Sequence, residues 1–150
     1  MKNETLVLHV VLVPPEGLFM FWPEVSRLLL DNPETWNKAQ TIADIHSAIT
    51  AGRLQLWVSI DVDQQVYMAA LTELKQFPVH RILHVVWGAG KYMDVIFEAG
   101  LSAMESYAKA QGATAIAIDG RPGFIKRAKK LGYEFVQTTV MKELPEERPN

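Results

Sequence analysis

Residues 84–111, HVVWGAGKYMDVIFEAGLSAMESYAKAQ, change their period part-way, at Trp87-Gly88-Ala89-Gly90. Ahead of the break, Ile82, Leu83, Val85 and Val86 form a short β-branched and apolar run, the pattern of a strand covered on both faces. Beyond it, Met93, Ile96, Phe97, Gly100, Leu101, Met104, Tyr107 and Ala108 follow the i, i+3, i+4, i+7 spacing of an amphipathic helix. The glycines are thus expected to turn a strand into a helix. The first amides of such a helix lack acceptors within it and sit at the positive end of its dipole, an arrangement suited to an anion, most often a phosphate. The plain alternative is a tight turn that binds nothing.

The chain has 150 residues, 49% of them hydrophobic, a size that supports one core and not two. A single domain over residues 1–144 with a frayed tail over 145–150 is expected. A net charge of −2 and a pI near 6.1 argue against a nucleic-acid surface, which is usually strongly basic. The basic residues cluster only locally, over residues 121–130. There is no cysteine, so disulfides, thiolate metal sites and cysteine nucleophiles are excluded, in keeping with a cytoplasmic location. No apolar run approaches the roughly 18 residues of a membrane span. The apolar start lacks a basic leader and reads as a first strand.

Residues 6–13 are a nearly continuous apolar run stopped by Pro14-Pro15-Glu16-Gly17. From Trp22, Val25, Leu28, Leu29 and Leu30 give a helical face with Pro23 in its first turn and Asn32-Pro33 at its close. A second helix opens at Thr41, where Thr41-Ile42-Ala43-Asp44 resembles a capping box, and buries Ile42, Ile45, Ala48 and Ile49 before ending at Ala51-Gly52. Leu54, Leu56, Val58 and Ile60 then alternate with Gln55, Trp57 and Ser59. Asp61-Val62-Asp63-Gln64 folds this strand onto residues 66–75. Residues 76–80 lead into the strand of the opening stretch, and a short strand over 113–118 follows the long helix. After Asp119-Gly120-Arg121-Pro122-Gly123 comes a short basic helix stopped by Gly132, and residues 133–144 read as a last strand. The order is β-α-α-β-β-β-α-β-α-β, an α/β chain (α+β mixed sheet) with an antiparallel meander at its centre.

That order, the Gly88-Ala89-Gly90 turn and the block Asp119-Gly120-Arg121-Pro122-Gly123 … Leu131-Gly132-Tyr133 resemble the GNAT (Gcn5-related N-acetyltransferase) superfamily over nearly the whole chain. The segments Phe21-Trp22-Pro23-Glu24-Val25, Gly52-Arg53-Leu54-Gln55-Leu56-Trp57 and Gly120-Arg121-Pro122-Gly123-Phe124 are similar to those of small GNAT-like proteins of bacteriophage and prophage genomes. The resemblance implies the GNAT acyl-CoA N-acyltransferase fold, with a V-shaped splay between the fourth and fifth strands. Acetyl-CoA, the implied cosubstrate, lies in the splay with its pyrophosphate on the glycine turn.

Carried over position by position, Val85, Val86, Trp87, Gly88, Ala89, Gly90, Lys91 and Tyr92 become the cofactor-binding segment. Val85 replaces the family's leading polar residue, which leaves the main-chain donors in place. Lys91 and Lys126, the latter with Arg127, Lys129 and Lys130, offer positive charge to the phosphates, although a solvated helix face is the default explanation for such residues. The family's general-acid tyrosine falls at Ala128 and its helix-opening asparagine at Arg121, so both groups are missing. Glu73 and His84 are the candidate bases, each with a structural reading beside it: a solvent-facing strand residue and a hydrogen-bonded strand histidine. Trp22, Trp36, Trp57 and Trp87 are candidates for an acceptor pocket or for the core, with Trp87 nearest the glycines. Two functions follow from the resemblance. One is an N-acetyltransferase acting on an unidentified small-molecule or protein amine. The other is a non-catalytic GNAT-fold module of phage origin, a viral protein placed in the virion. Its partners would be a second copy in a homodimer or another viral structural protein.

Overall fold

The computed structural model describes residues 6–33, 40–119, 122–136, 142, 144 and 145. Its elements are β1 (His9–Val13), a 3-10 turn (Pro15–Gly17), α1 (Leu18–Asp31), α2 (Ile42–Thr50), β2 (Gln55–Ile60), β3 (Val66–Gln76), β4 (Arg81–Gly90), α3 (Met93–Ala110), β5 (Ala115–Ile118) and α4 (Pro122–Lys130). The strands stand in the order β1-β2-β3-β4-β5. The first three pairings are antiparallel and β4–β5 is parallel. This is the expected mixed α+β order as far as α4. Of the expected last strand, residues 133–136 are not in a ladder, and 137–141 and 143 lie outside the described residues, as does Trp36.

Local chemistry explains the boundaries. The 3-10 turn feeds directly into α1, which begins at Leu18 and not at Trp22, so that Pro23 falls inside the helix. Pro23 is exposed, and the carbonyl that its missing N–H leaves unpaired belongs to exposed Phe19. Helix α2 starts on a complete capping box: the Asp44 amide donates to Thr41 Oγ1 at 3.1 Å and the Thr41 amide to Asp44 Oδ2 at 2.8 Å. These bonds hold the Asp44 carboxyl below its ordinary pKa.

The sheet is covered on both faces. Helices α1 and α2 bury Val25, Leu29, Ile45 and Ile49 against Leu56, Val58, Leu71 and Trp87 on one side. Helix α3 lays Leu101, Met104 and Ala108 on Trp57, Ala70, Leu83 and Val85 on the other. Hence Trp57 and Ser59, the second face of the β2 alternation, are as buried as Leu56 and Val58. The Trp57 indole donates to Thr72 Oγ1 at 3.0 Å, and the Thr72 hydroxyl donates to Gln55 Oε1 at 3.0 Å. A buried indole N–H without such a partner costs about 1–3 kcal/mol.

Two features of β4 position the site. The strand does not turn at the glycines; it runs through them, pairing Gly88 with Ala70, Ala89 with Ala69 and Gly90 with Met68. It also carries a bulge. Leu71 faces Trp87 while Thr72 faces Val85, so Val86 is an extra residue. Val85 therefore points to α3, whereas Trp87, two residues on, packs with α1 and α2.

Candidate functional site

The parallel pairing of β4 with β5 spans only Ile82↔Ala115 to Val85↔Ile118, and its last bond runs from the Asp119 amide to the Val85 carbonyl at 2.9 Å. Strand β4 continues to Gly90 without β5. Among the described residues no strand pairs with the outer edge of β4 from Val86 to Gly90, about 16 Å at about 3.3 Å per residue. The Lys91 amide donates to the Tyr67 carbonyl at 2.8 Å. With Ala89↔Ala69 and Trp87↔Leu71 in register, alternation gives the main-chain groups of Trp87, Ala89 and Lys91 to β3. Those of Gly88 and Gly90 face the open edge. The sheet is thus splayed between its fourth and fifth strands.

The junction to α3 is tight because two residues adopt positive φ, Gly90 at 134° and Tyr92 at 62°. A Cβ on Gly90 would stand 2.2 Å from the Tyr67 carbonyl oxygen, which explains the glycine without any ligand. Tyr92 caps α3 in the left-handed conformation, an arrangement that costs a non-glycine residue about 1–3 kcal/mol. Its half-exposed ring lies 5.7 Å from that of Tyr67. The Tyr67 hydroxyl in turn donates to Asp61 Oδ2 at 2.9 Å. That bond, above all other causes, raises the Tyr67 pKa; Asp61 is held low first by the Gln65 amide. At the start of α3 the amides of Met93 and Asp94 precede the first intrahelical bonds, which begin with Val95 and Ile96 donating to the Tyr92 carbonyl. Lys91 beside them is exposed. So is Asp94, whose carboxylate already serves the helix end.

Under the open edge, between sheet and α3, lies an apolar cavity of about 70 Å³. Gly88, Met93, Phe97, Ile118, Asp119 and Phe124 line its outer end. The Phe124 ring, from α4, stacks on Phe97 with centroids 5.9 Å apart and comes within 4.0 Å of where a Gly88 Cβ would stand.

The two candidate bases meet. Glu73 and His84 are direct cross-strand neighbours. His84 Nε2 lies 2.7 Å from Asp119 Oδ1, but the carboxylate is off the hydrogen-bonding direction, leaving the buried ring nitrogen without a well-directed bond. Both residues sit where the β4–β5 ladder ends. The remaining candidates are spread out. Val85 is the last residue paired to β5 and Val86 is the bulge. Trp87 and Ala89, each 2% exposed, belong to the α1/α2 core. Lys126 is exposed on α4. Ala128, where the resemblance expects a tyrosine, is buried at 4%. Tyr133 donates to Glu105 on α3 at 2.8 Å and is committed there.

Sequence reasoning assigned no site role to Asp119 or Phe124. Asp119 had a usable signal, an acid at the carboxyl end of a parallel strand, where ligands of α/β sheets gather. Among the described residues no group of three His, Asp or Glu side chains is placed to hold a metal, and no helix is long and apolar enough to cross a membrane.

No protein-family model and no curated protein matches the chain. Solved structures do. A ribosomal-protein-alanine N-acetyltransferase from Brucella melitensis biovar Abortus 2308 superposes with a TM-score of 0.70 at 10% identity, covering 92% of this chain and 99% of that one. A predicted acetyltransferase from Clostridium acetobutylicum, solved with acetyl-CoA, gives 0.66 at 12% identity, covering 91% and 96%. The BH1408 protein from Bacillus halodurans, as a tetramutant, gives 0.62 at 18% identity, covering 92% and 99%. With its mixed five-stranded sheet and parallel β4–β5 pair, the chain has the GNAT acetyltransferase fold.

Proposed function

We propose that the protein is an acyl-CoA-dependent N-acyltransferase, with acetyl-CoA its simplest donor and an amine its acceptor. The observation that carries this reading is the free run of β4 beyond Val85, where β5 has left the ladder. The edge groups of Gly88 and Gly90, the first amides of α3, and Lys91 suit a carrier with an amide-bearing arm and a diphosphate. The solved Clostridium acetobutylicum neighbour contains acetyl-CoA, which supports that choice of carrier.

Acyl-CoA supplies a thioester: the amide C–N bond forms as the C–S bond breaks, the amine loses a proton and the sulfur gains one, leaving an amide and a free thiol. This chain's own residues do the rest. His84 receives the amine proton on the α1/α2 face of the sheet, at the narrow end of the splay, with Asp119 and Glu73 beside it. With Ala128 at the tyrosine position and Tyr133 bound to Glu105, the sulfur takes its proton from solvent. Loss of a general acid typically costs about a hundred- to ten-thousand-fold in rate, so turnover is slow.

A second reading is the non-catalytic phage or virion module. Phe124, stacked on Phe97 over Gly88, and the acid Asp94 at the anion end of α3 favour its non-catalytic part. Thermal unfolding with acetyl-CoA separates the two. At about a hundred times its dissociation constant a ligand stabilises by about 2.7 kcal/mol. For a chain of this length that is a rise of about 5–11 °C. Gly88→Val, whose branched side chain would grow toward Ala70 and Phe124, abolishes the rise. The absence of any rise in the unmodified protein at millimolar acetyl-CoA would end the enzyme reading.

A further inference from the structure

The cavity under the open edge does not stop at the splay. It runs inward between the sheet and α3, past Ala70 and Gly100 to Trp57 and Met104, and its walls are almost wholly apolar. Three small residues make this space. Ala70 and Gly88 are cross-strand partners on the sheet. Opposite them Gly100 lies on the stripe of α3 that includes Ile96, Met104 and Ala108, four residues apart and all buried. Glycine is a poor choice for the middle of an 18-residue helix, and a Cβ there would meet nothing within 4 Å. An alanine would fit, improve the helix and begin to fill the void. The space is kept open and reaches Gly88, on the strand edge proposed to hold the acyl carrier.

From this we infer that the protein accepts acyl groups longer than acetyl, straight or branched and of about four carbons, seated between the sheet and α3. The size follows from the volume. Measured against the roughly 150 Å³ of cavity that takes a six-carbon ring, about 70 Å³ holds about three carbons beyond the acyl carbonyl. A polar or charged acyl group finds no match in the walls. This inference rests on the acyltransferase reading and adds the class of donor to it.

Calorimetric titration of the full chain with CoA, acetyl-CoA, butyryl-CoA and hexanoyl-CoA tests it. Burying each added methylene strengthens binding about fourfold, so butyryl-CoA is expected to bind about fifteenfold more tightly than acetyl-CoA. In Gly100→Leu, which fills the void, butyryl- and acetyl-CoA converge on one affinity. Should that variant not fold, Gly100→Ala, with a single added methyl, is expected to narrow the difference part of the way. Equal binding of acetyl- and butyryl-CoA by the unmodified protein overturns the chain-length inference and leaves the acyltransferase reading standing. A butyryl preference that persists undiminished in both Gly100 variants places the chain elsewhere and overturns it too. If no CoA species binds, both readings fall together.

Discussion

Replacing Gly90 by alanine separates structural from ligand-binding reasons for the glycines of β4. At Gly90 an added Cβ would lie 2.2 Å from the Tyr67 carbonyl oxygen and 2.6 Å from the Met68 Cα, both backbone atoms of the central strand β3. Neither can move without shifting the β3–β4 ladder. The residue also holds φ at 134°, a region closed to side-chain-bearing residues at a cost of about 1–3 kcal/mol. Relieving the overlap adds a typical overpacking cost of about 1–3 kcal/mol. The expected destabilisation is about 2–6 kcal/mol, or about 4–24 °C in midpoint for a chain of this size. Gly88→Ala is the matched control, because its Cβ would meet only ordinary contacts at 3.9 to 4.0 Å and its φ is not positive. It should stay within about 1 kcal/mol of the parent. Urea denaturation of the three proteins, with slopes compared, gives the answer. A Gly90→Ala protein within about 0.5 kcal/mol of the parent would refute the strand path drawn here and return Gly90 to an open turn.

Thr72→Val keeps the shape of a fully buried side chain but leaves the Trp57 indole N–H without its acceptor, so a loss of about 1–3 kcal/mol in chemical denaturation is expected; a neutral result would mean the indole finds another partner. Tyr133 has its pKa raised, first by burial and then by its bond to Glu105. Its contribution to stability is therefore whole below the unfolded value of about 10 and is lost as the pH climbs past it. Unfolding followed from pH 9 to 12 should show a flatter decline in Tyr133→Phe than in the parent, and parallel curves would count against the assignment. Asp94→Asn removes an anion from the first turn of α3 and should tighten acetyl-CoA binding about two- to fivefold, the equivalent of about 0.3–1 kcal/mol; unchanged or weaker binding would move the diphosphate away from that helix end.

What the sequence disclosed was what local chemistry decides. Thr41 and Asp44 announced the capping box that opens α2, and the spacing from Met93 to Ala108 announced a helix whose buried stripe is the one found. The glycine stretch misled for a physical reason. Small residues mark turns, but they are equally required where backbones crowd, and the crowding at Gly90 comes from Tyr67, a residue more than twenty positions away. The contact of His84 with Asp119 likewise depends on parallel pairing between strands separated by the whole of α3. Burial of both faces of β2 depends on helices lying on either side of the sheet, which the alternation of Leu56 and Val58 with Trp57 and Ser59 does not disclose.

The bulge at Val86 has the widest reach of these long-range features. In an unbroken strand, residues two apart share a face, and Trp87 would follow Leu83 and Val85 toward α3. Its indole would then stand in the layer that holds the cavity, and Gly88 would face α1 and α2. The inserted residue reverses this from Trp87 onward. The indole becomes part of the α1/α2 core, where its burial helps stability, and glycine is left at the mouth of the cavity. The bulge also falls at the residue after Val85, where β5 leaves the ladder, so the change of face and the opening of the edge coincide. One added residue thus clears the floor of the splay and marks where it begins, while His84, two positions earlier, keeps its place on the opposite face of the sheet.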